Sequence, residues 1–291
     1  MSGIDPHPPV ALKAGLQVAT AITRALGPAR YPLADGLGLV GYALSGSRRR
    51  NAARNHRRLD PGISAKEARR RARRSFQEFA RSGIDFVWAC GLSRNATLRH
   101  GRWVPVGRDG TLRDPPNGGI FVLTHFGNWD MAANIAWSGG LHLTTVMATT
   151  GPRAITDLVV WARRANKMEV FEANHAAMGM VHAIRRRRYV AILSDLPDGG
   201  PTVTVDYCGG SVPFSSVPAW LALRTKAPLI PTACWRDADG TYLLECMQAI
   251  EVRADDDERS LMQRVAAMIE PAVRAHPEQW YPFREFYTDL R

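Results

Sequence analysis

Acidic residues are scarce at the start of this chain. Residues 1–100 hold 18 Lys and Arg against 6 Asp and Glu, while the remaining positions hold 20 against 21. The net charge of +11 is therefore a local excess, and a phosphate-bearing partner fits it best. Cysteine is equally sparse. Cys90, Cys208, Cys234 and Cys246 show neither a ligand spacing nor a disulfide framework, so no metal is expected and the thiols read as reduced and packed in a cytosolic protein. No stretch reaches the roughly 18–20 uninterrupted apolar residues of a spanning helix, and Met1–Pro9 lacks the basic start and apolar core of a secretory signal. No zinc finger, helix-turn-helix or RNA-binding signature is present, so no nucleic acid is expected as a partner. There is no internal repeat and no long linker.

What the chain does contain is concentrated in Gly119-Ile120-Phe121-Val122-Leu123-Thr124-His125-Phe126-Gly127-Asn128-Trp129-Asp130. The apolar run reads as a buried strand, Gly127-Asn128 as a turn, and Trp129–Trp137, free of Gly and Pro, as a helix. His125 thus sits where a strand hands over to a helix, the place where α/β folds put their chemistry. Acyl transfer to a hydroxyl needs a base near neutral pH, which imidazole supplies. A carboxylate on the other ring nitrogen fixes the tautomer, and Asp130 takes that role if the turn folds it back onto the ring. The plainer alternative is a structural histidine beside a helix-capping Asn128.

His125-Phe126-Gly127-Asn128-Trp129-Asp130 resembles the His-x4-Asp/Glu motif of the lysophospholipid acyltransferase superfamily. The flanking Phe-Gly-Asn-Trp is similar to its lipid A lauroyl/myristoyl branch, whose actinobacterial relatives include the phosphatidylinositol mannoside acyltransferases. Three further segments resemble that branch in the right order: Arg185–Asp195, Ala219–Pro231 and His276–Trp280. The resemblance implies a glycerolipid acyltransferase-like α/β fold, with a mixed, mainly parallel sheet flanked by helices. It also implies acyl-CoA or acyl carrier protein as cosubstrate, no resident cofactor, and a glycolipid hydroxyl as acceptor. The chain departs from the family at its acceptor-side positions. The acidic pair is interrupted as Asp195-Leu196-Pro197-Asp198, and Thr204 stands where a glutamate is expected. Ala148–Arg153 lacks a glutamate, and the Trp280–Phe286 ending departs from the usual tail. Asp206, two residues from Thr204 and on the same strand face, is the candidate replacement. Asp198 reads as a turn residue.

The chain reads as one domain, with a basic helical segment at 1–100 and an α/β core at 101–291. Val10–Leu26 carries a helical apolar stripe (Ala11, Ala14, Val18, Ala21, Ile22, Ala25), and Leu33–Leu44 is apolar but short. Ser64 with Glu67 forms a capping box for a helix lined by Ala68, Ala72, Phe76 and Phe79. Arg48, Arg49 and Arg50, with Arg70 and Arg74, are the candidate membrane contacts, each worth about 1 kcal/mol beside anionic lipid. The expectation is a peripheral protein on the cytoplasmic face of the plasma membrane, lying on the bilayer and not in it.

The catalytic half is expected to begin at Arg102–Val106, with strands at Ile120–Leu123, Leu143–Ala148, Met168–Phe171 and Tyr189–Leu193. Helices are expected at Ile155–Asn166, Gly179–Arg188 and Ser260–Ala275, and Asp237-Ala238-Asp239-Gly240 is a hairpin signal between Leu229–Trp235 and Tyr242–Met247. Candidate substrate contacts are Asn128, Trp129, Arg163, Arg164, Asp195 and Asp206. The Arg185–Arg188 run has two open readings, a phosphate or carrier-protein contact and a solvated helix end. Two rivals to acylation of a glycolipid stay open: the same chemistry on a non-lipid hydroxyl or amine, and a non-enzymatic binder of anionic lipid or nucleic acid.

Overall fold

A computed structural model describes residues 6–104, 118–147, 151–172, 176–197 and 199–288. Pro105, Val106, Ala148, Thr149, Thr150 and Asp198, which the sequence reading touched, lie outside the described residues. The elements before residue 101 are all helical: α1 Val10–Leu26, α2 Arg30–Leu44, α3 Gly46–Leu59, α4 Ala65–Trp88 and α5 Arg94–His100. The core then alternates as β1 Gly101–Val104, β2 Gly119–Leu123, α6 Trp129–Ser138, β3 Leu143–Met147, α7 Arg153–Ala165, β4 Glu169–Glu172, α8 Ala176–Arg185 and β5 Tyr189–Leu193. It ends with β6 Thr202–Tyr207, β7 Gly210–Ser215, α9 Val217–Thr225, β8 Leu229–Arg236, β9 Tyr242–Cys246 and α10 Glu258–Ala275.

Seven strands form one sheet in the order β1-β9-β8-β2-β5-β3-β4. All its pairings are parallel except β8–β9, whose Asp237–Thr241 hairpin is closed by the expected Asp-rich turn. β2 lies at the centre and is buried along its whole length. That is why it reads as a continuous apolar run and not as an alternating one. The sheet is thus the mixed, mainly parallel one expected, flanked by helices. Not expected is the β6–β7 hairpin, a separate antiparallel pair packed along α10. Its inward face is Val205, Tyr207, Val212 and Phe214.

Two local readings change. Ser64 caps α4 by accepting from the Glu67 amide, but the Glu67 carboxylate binds Arg70 and Arg71, so the capping box is only half made. Helix α8 stops at Arg185; Arg186–Arg188 form the turn into β5, with Arg187 in the left-handed region at φ +58°.

The apolar stripe of α1 faces outward. Ala11, Ala14, Val18, Ala21, Ile22 and Ala25 are all exposed, and the buried side carries Leu16, Thr20 and Thr23. Helix α2 repeats this arrangement: Leu33, Leu37, Val40 and Leu44 point out, while Ala34 and Gly38 pack on α4. At Gly38 a side chain is excluded by the Gln77 backbone, 2.6 Å from where its Cβ would stand. Among the described residues no helix is long and apolar enough to cross a membrane.

A buried polar layer joins this helical part to the sheet. Asp85 of α4, with no exposed side-chain surface, accepts from Arg30 Nε at 2.7 Å, from the Tyr31 hydroxyl at 3.2 Å and from the Tyr242 hydroxyl at 2.5 Å. Burial, and then the Asp85 charge, push both phenols up, Tyr31 to about 12, so both stay protonated and donate. Beside it Arg236 pairs with Glu78, and Arg81 with Asp35 and Glu78.

His56 is a second buried titratable group. It sits edge-on to Trp280 and bonds Ser75 Oγ at 3.0 Å. Burial, and then the Arg71 charge, push its pKa down to about 3. The folded state keeps this ring neutral, while the unfolded chain protonates it below about 6.5. Its contribution is therefore intact above pH 6.5 and lost as pH falls toward 3, by about 1.4 kcal/mol per pH unit at most. Urea denaturation at pH 7.5 and pH 5 should show a lower midpoint at the acidic value, and His56→Asn should flatten that difference.

Candidate active site

Two strand ends build the site. Leu123 and Leu193 lie opposite one another in the parallel β2–β5 pair. His125 and Asp195 each follow by two residues, so they emerge side by side. Asp195 Oδ1 accepts from His125 Nδ1 at 2.8 Å and from the His125 backbone amide at 2.9 Å. The Asp195 side chain is fully buried, whereas the His125 ring is 30% exposed. The second oxygen of Asp195 has no donor among the described residues, so the carboxylate serves His125 alone. The imidazole is held by Nδ1, and no described residue bonds Nε2.

This corrects the expected pairing. The carboxylate on the ring belongs to Asp195 and not to Asp130. Asp130, in the first turn of α6, is gripped by Arg163 of α7: Nε to Oδ1 at 2.9 Å and Nη2 to Oδ2 at 3.3 Å, both side chains largely buried. The physical reason is the helix start. Asn128 caps α6 by accepting from the Met131 amide at 2.9 Å, and this directs Asp130 along the helix toward α7. Asn128 itself is buried, its amide nitrogen near the Tyr242 hydroxyl and the Ser82 carbonyl. It acts as the cap of α6.

The turn between strand and helix is pinned on both sides. The Gly127 amide donates to Gln279 O and the Asn128 amide to Cys234 O, each at 2.8 Å. Gly127 has φ +62°, and a Cβ there would stand 1.8 Å from the Cys234 carbonyl oxygen. Conformation and space both demand glycine. From the far end of the chain, Phe126 bridges to Trp280, and the Tyr281 amide donates to the His125 carbonyl at 3.1 Å.

Aromatic rings border the opening. Trp129 stands edge-on to His125 with centroids 5.3 Å apart; the buried Tyr281 ring packs against it, and the exposed Phe79 packs on Tyr281. Behind Trp129 lies an apolar cavity of about 30 Å³, lined by Phe121, Leu123, Ala132, Ala136 and Leu244 among others.

The other expected contacts separate. Arg163 lies in the site through Asp130, while Arg164 borders a surface depression with Trp137, His142 and Lys167, at the opposite end of α6 from His125. Asp206 is exposed on β6. Its carboxylate meets Ser211 at 3.4 Å and its backbone is clamped by Gln263. Thr204 and Asp206 do share a face, but that face is turned outward. It is Tyr207, on the other face, that reaches Thr124 Oγ1 at 3.4 Å, next to His125. Among the described residues no cluster suited to a metal ion occurs, and all four cysteines are free thiols.

The sequence profile of the bacterial lipid A biosynthesis acyltransferases matches residues 12–287. The chain belongs to that family. Within it the chain is similar to the phosphatidylinositol mannoside acyltransferase of Mycobacterium tuberculosis (strain CDC 1551 / Oshkosh), 26% identical over 180 residues, covering 60% of this chain and 56% of the relative. It is likewise similar to the protein of that description from Mycolicibacterium smegmatis (strain ATCC 700084 / mc(2)155), 24% identical over 182 residues, 61% of this chain and 59% of the relative. The matched segments thus span somewhat more than half the length of these curated relatives.

Because Gly127 alone fits beneath Cys234, Gly127→Ala should displace the turn that carries His125. The expected outcome is a lowered melting temperature together with at least a tenfold loss of any His125-dependent turnover, read by calorimetry and assay on one preparation.

Proposed function

We propose that this chain transfers a fatty acyl group from an acyl thioester to a hydroxyl of a glycolipid of the phosphatidylinositol mannoside type, at a membrane surface. The observation that carries the reading is the His125–Asp195 pair, with one face of the ring buried against a carboxylate and the other open at the end of a parallel sheet. That arrangement makes an oriented general base. Nε2 takes the acceptor hydroxyl's proton as its oxygen attacks the thioester carbonyl. Asp195 stabilises the imidazolium that forms. The carbon–sulfur bond then breaks, and the thiolate leaves with the proton that the imidazolium returns. No covalent enzyme intermediate is required.

The turn supplies what the developing oxyanion needs. The Gly127, Asn128 and Met131 amides are already engaged, which leaves the helix-start amides of Trp129 and Asp130 to donate to it. Arg163, neutralised by Asp130, braces that helix start.

Placement at the bilayer rests on the outward apolar faces of α1 and α2 beside the arginines of α3 and α4. Val10 and Leu44 are each more than four-fifths exposed, and Arg48, Arg50, Arg70 and Arg74 are exposed on the neighbouring helices. Apolar faces bounded by cations are what an interfacial protein presents to anionic lipid. The same feature favours a lipid acceptor over a non-lipid one.

Thiol release from palmitoyl-CoA and palmitoyl–carrier protein, with mannosylated phosphatidylinositol as acceptor, tests the reaction. His125→Ala should cost at least about a hundredfold, the worth of a general base, and Asp195→Asn a comparable factor. Asp130→Asn and Arg163→Gln should resemble one another, because they break one pair. Full transfer by His125→Ala would remove the mechanism. Flotation with anionic vesicles tests the placement: Leu37→Glu with Val40→Glu should release the protein from the vesicles while leaving its melting temperature within a few degrees.

A further inference from the structure

Helix α3 contains six arginines in fourteen residues and no carboxylate. Three of them, Arg54, Arg57 and Arg58, stand at i, i+3 and i+4, where like charges repel along a helix. Together with Arg69 of α4 they line a cleft of about 470 Å³ with Ala53 and Ala68 in its wall. The local carboxylates are committed elsewhere: Glu67 to Arg70 and Arg71, and Asp60 to Arg71. Arg54 has a loose, exposed contact with Glu285 at 3.6 Å. Arg58 donates to the Gly209 carbonyl and lies over the Tyr287 ring. No described carboxylate lies within ion-pair distance of Arg57 or Arg69. Four arginines line one concavity, and two of them, Arg57 and Arg69, have no described carboxylate partner, an arrangement that suits a multiply charged anion. The volume suits a small-molecule ligand, whereas a flat bilayer would touch only the rim.

The position of the cleft narrows the ligand further. Ser82 of α4 touches the catalytic turn through the Gly127 carbonyl. Arg69 lies thirteen residues earlier on that helix, which at 1.5 Å per residue is about 20 Å. Between them the exposed Phe79 and half-buried Phe283 pack together over the buried Tyr281, which in turn packs on Trp129.

We propose that the cleft formed by Arg54, Arg57, Arg58 and Arg69 seats the nucleotide phosphates of a coenzyme A thioester. The pantetheine arm then runs over Phe79 and Phe283 toward Trp129 to bring the thioester to His125. The diphosphate and the ribose phosphate supply several negative charges, as four arginines require, where a lipid headgroup phosphodiester supplies one. This assignment rests on the acyl-transfer reading above and names its donor.

The test is calorimetric binding of coenzyme A, dephospho-coenzyme A and glycerophosphoinositol to the full chain. Wild type is compared with Arg57→Ala/Arg69→Ala, with Arg57→Gln as a milder variant, and with Arg73→Ala as an exposed control outside the cleft. Melting curves confirm that each is folded. Coenzyme A should bind wild type more tightly than dephospho-coenzyme A. The double variant should weaken coenzyme A at least tenfold and shrink that preference, Arg57→Gln should do so partially, and Arg73→Ala should leave both unchanged. Equal coenzyme A affinity in wild type and the double variant would overturn the assignment. So would an equal loss in Arg73→Ala, and so would arginine-dependent binding of glycerophosphoinositol with coenzyme A ignored. Because binding is read without turnover, the two readings fail separately. Cleft-dependent coenzyme A binding without acyl transfer removes the reaction alone, whereas transfer from a carrier protein with coenzyme A unbound removes the cleft assignment alone.

Discussion

The parallel register of β2 against β5 is the constraint on which the site depends. In a parallel pair, residues that follow their strands by equal numbers leave the sheet together. With Leu123 opposite Leu193, His125 and Asp195 are neighbours by construction. A slip of one residue would turn one side chain to the other face of the sheet and part the pair. The register is protected because both strands are central and packed on both faces. Ile120, Val122, Val190 and Ile192 face one core, and Phe121, Leu123 and Tyr189 face the other. The burial that stabilises the sheet is thus also what aligns His125 with Asp195, and no loop has to find the geometry on its own.

The second level of organisation is the polar layer around Asp85. A fully buried carboxylate is tolerable only with its bonds satisfied, and removing a partner from such a pair costs about 3–5 kcal/mol. Here three partners come from two elements: Arg30 and Tyr31 from α2, and Tyr242 from β9, which in turn accepts from Asn128. The helix whose outer face is apolar is therefore tied, through one carboxylate and one phenol, to Asn128, the residue that caps α6. Charge in this layer fixes where α2 sits. An apolar seam would hold it as firmly but with less directional control.

Much of this was legible in the chain. The strand–His–Gly–Asn–helix order, the alternation of strands and helices, and the Asp-rich hairpin depend on local chemistry, and the structure follows them. Asp195 was seen as a post-strand acid at the His125 end of the sheet, but its pairing was given to Asp130. Nearness in sequence misled there, since four intervening residues across a capped helix start turn a side chain away. The cue that would have found the pair was the equal two-residue offset after two apolar strands. Asp206 was placed correctly by strand periodicity on the face of Thr204. What periodicity lacks is which face the fold turns inward, and Val205 and Tyr207, the bulkier alternates, decide that by burial. The outward stripe of α1 was read as a helix, but only three-dimensional packing shows that it faces away from the core.

The pinning of the catalytic turn by residues 279–281 sets the order in which the site comes into being. During synthesis β2, β5 and the His125 turn leave the ribosome well before Gln279, Trp280 and Tyr281. Until those three arrive, Gly127 lacks its acceptor, Phe126 its bridge and the His125 carbonyl its donor. A nascent chain can hold its sheet before the turn that carries His125 is fixed. The local geometry around His125 thus belongs to the finished fold, set by a segment made about 150 residues after it.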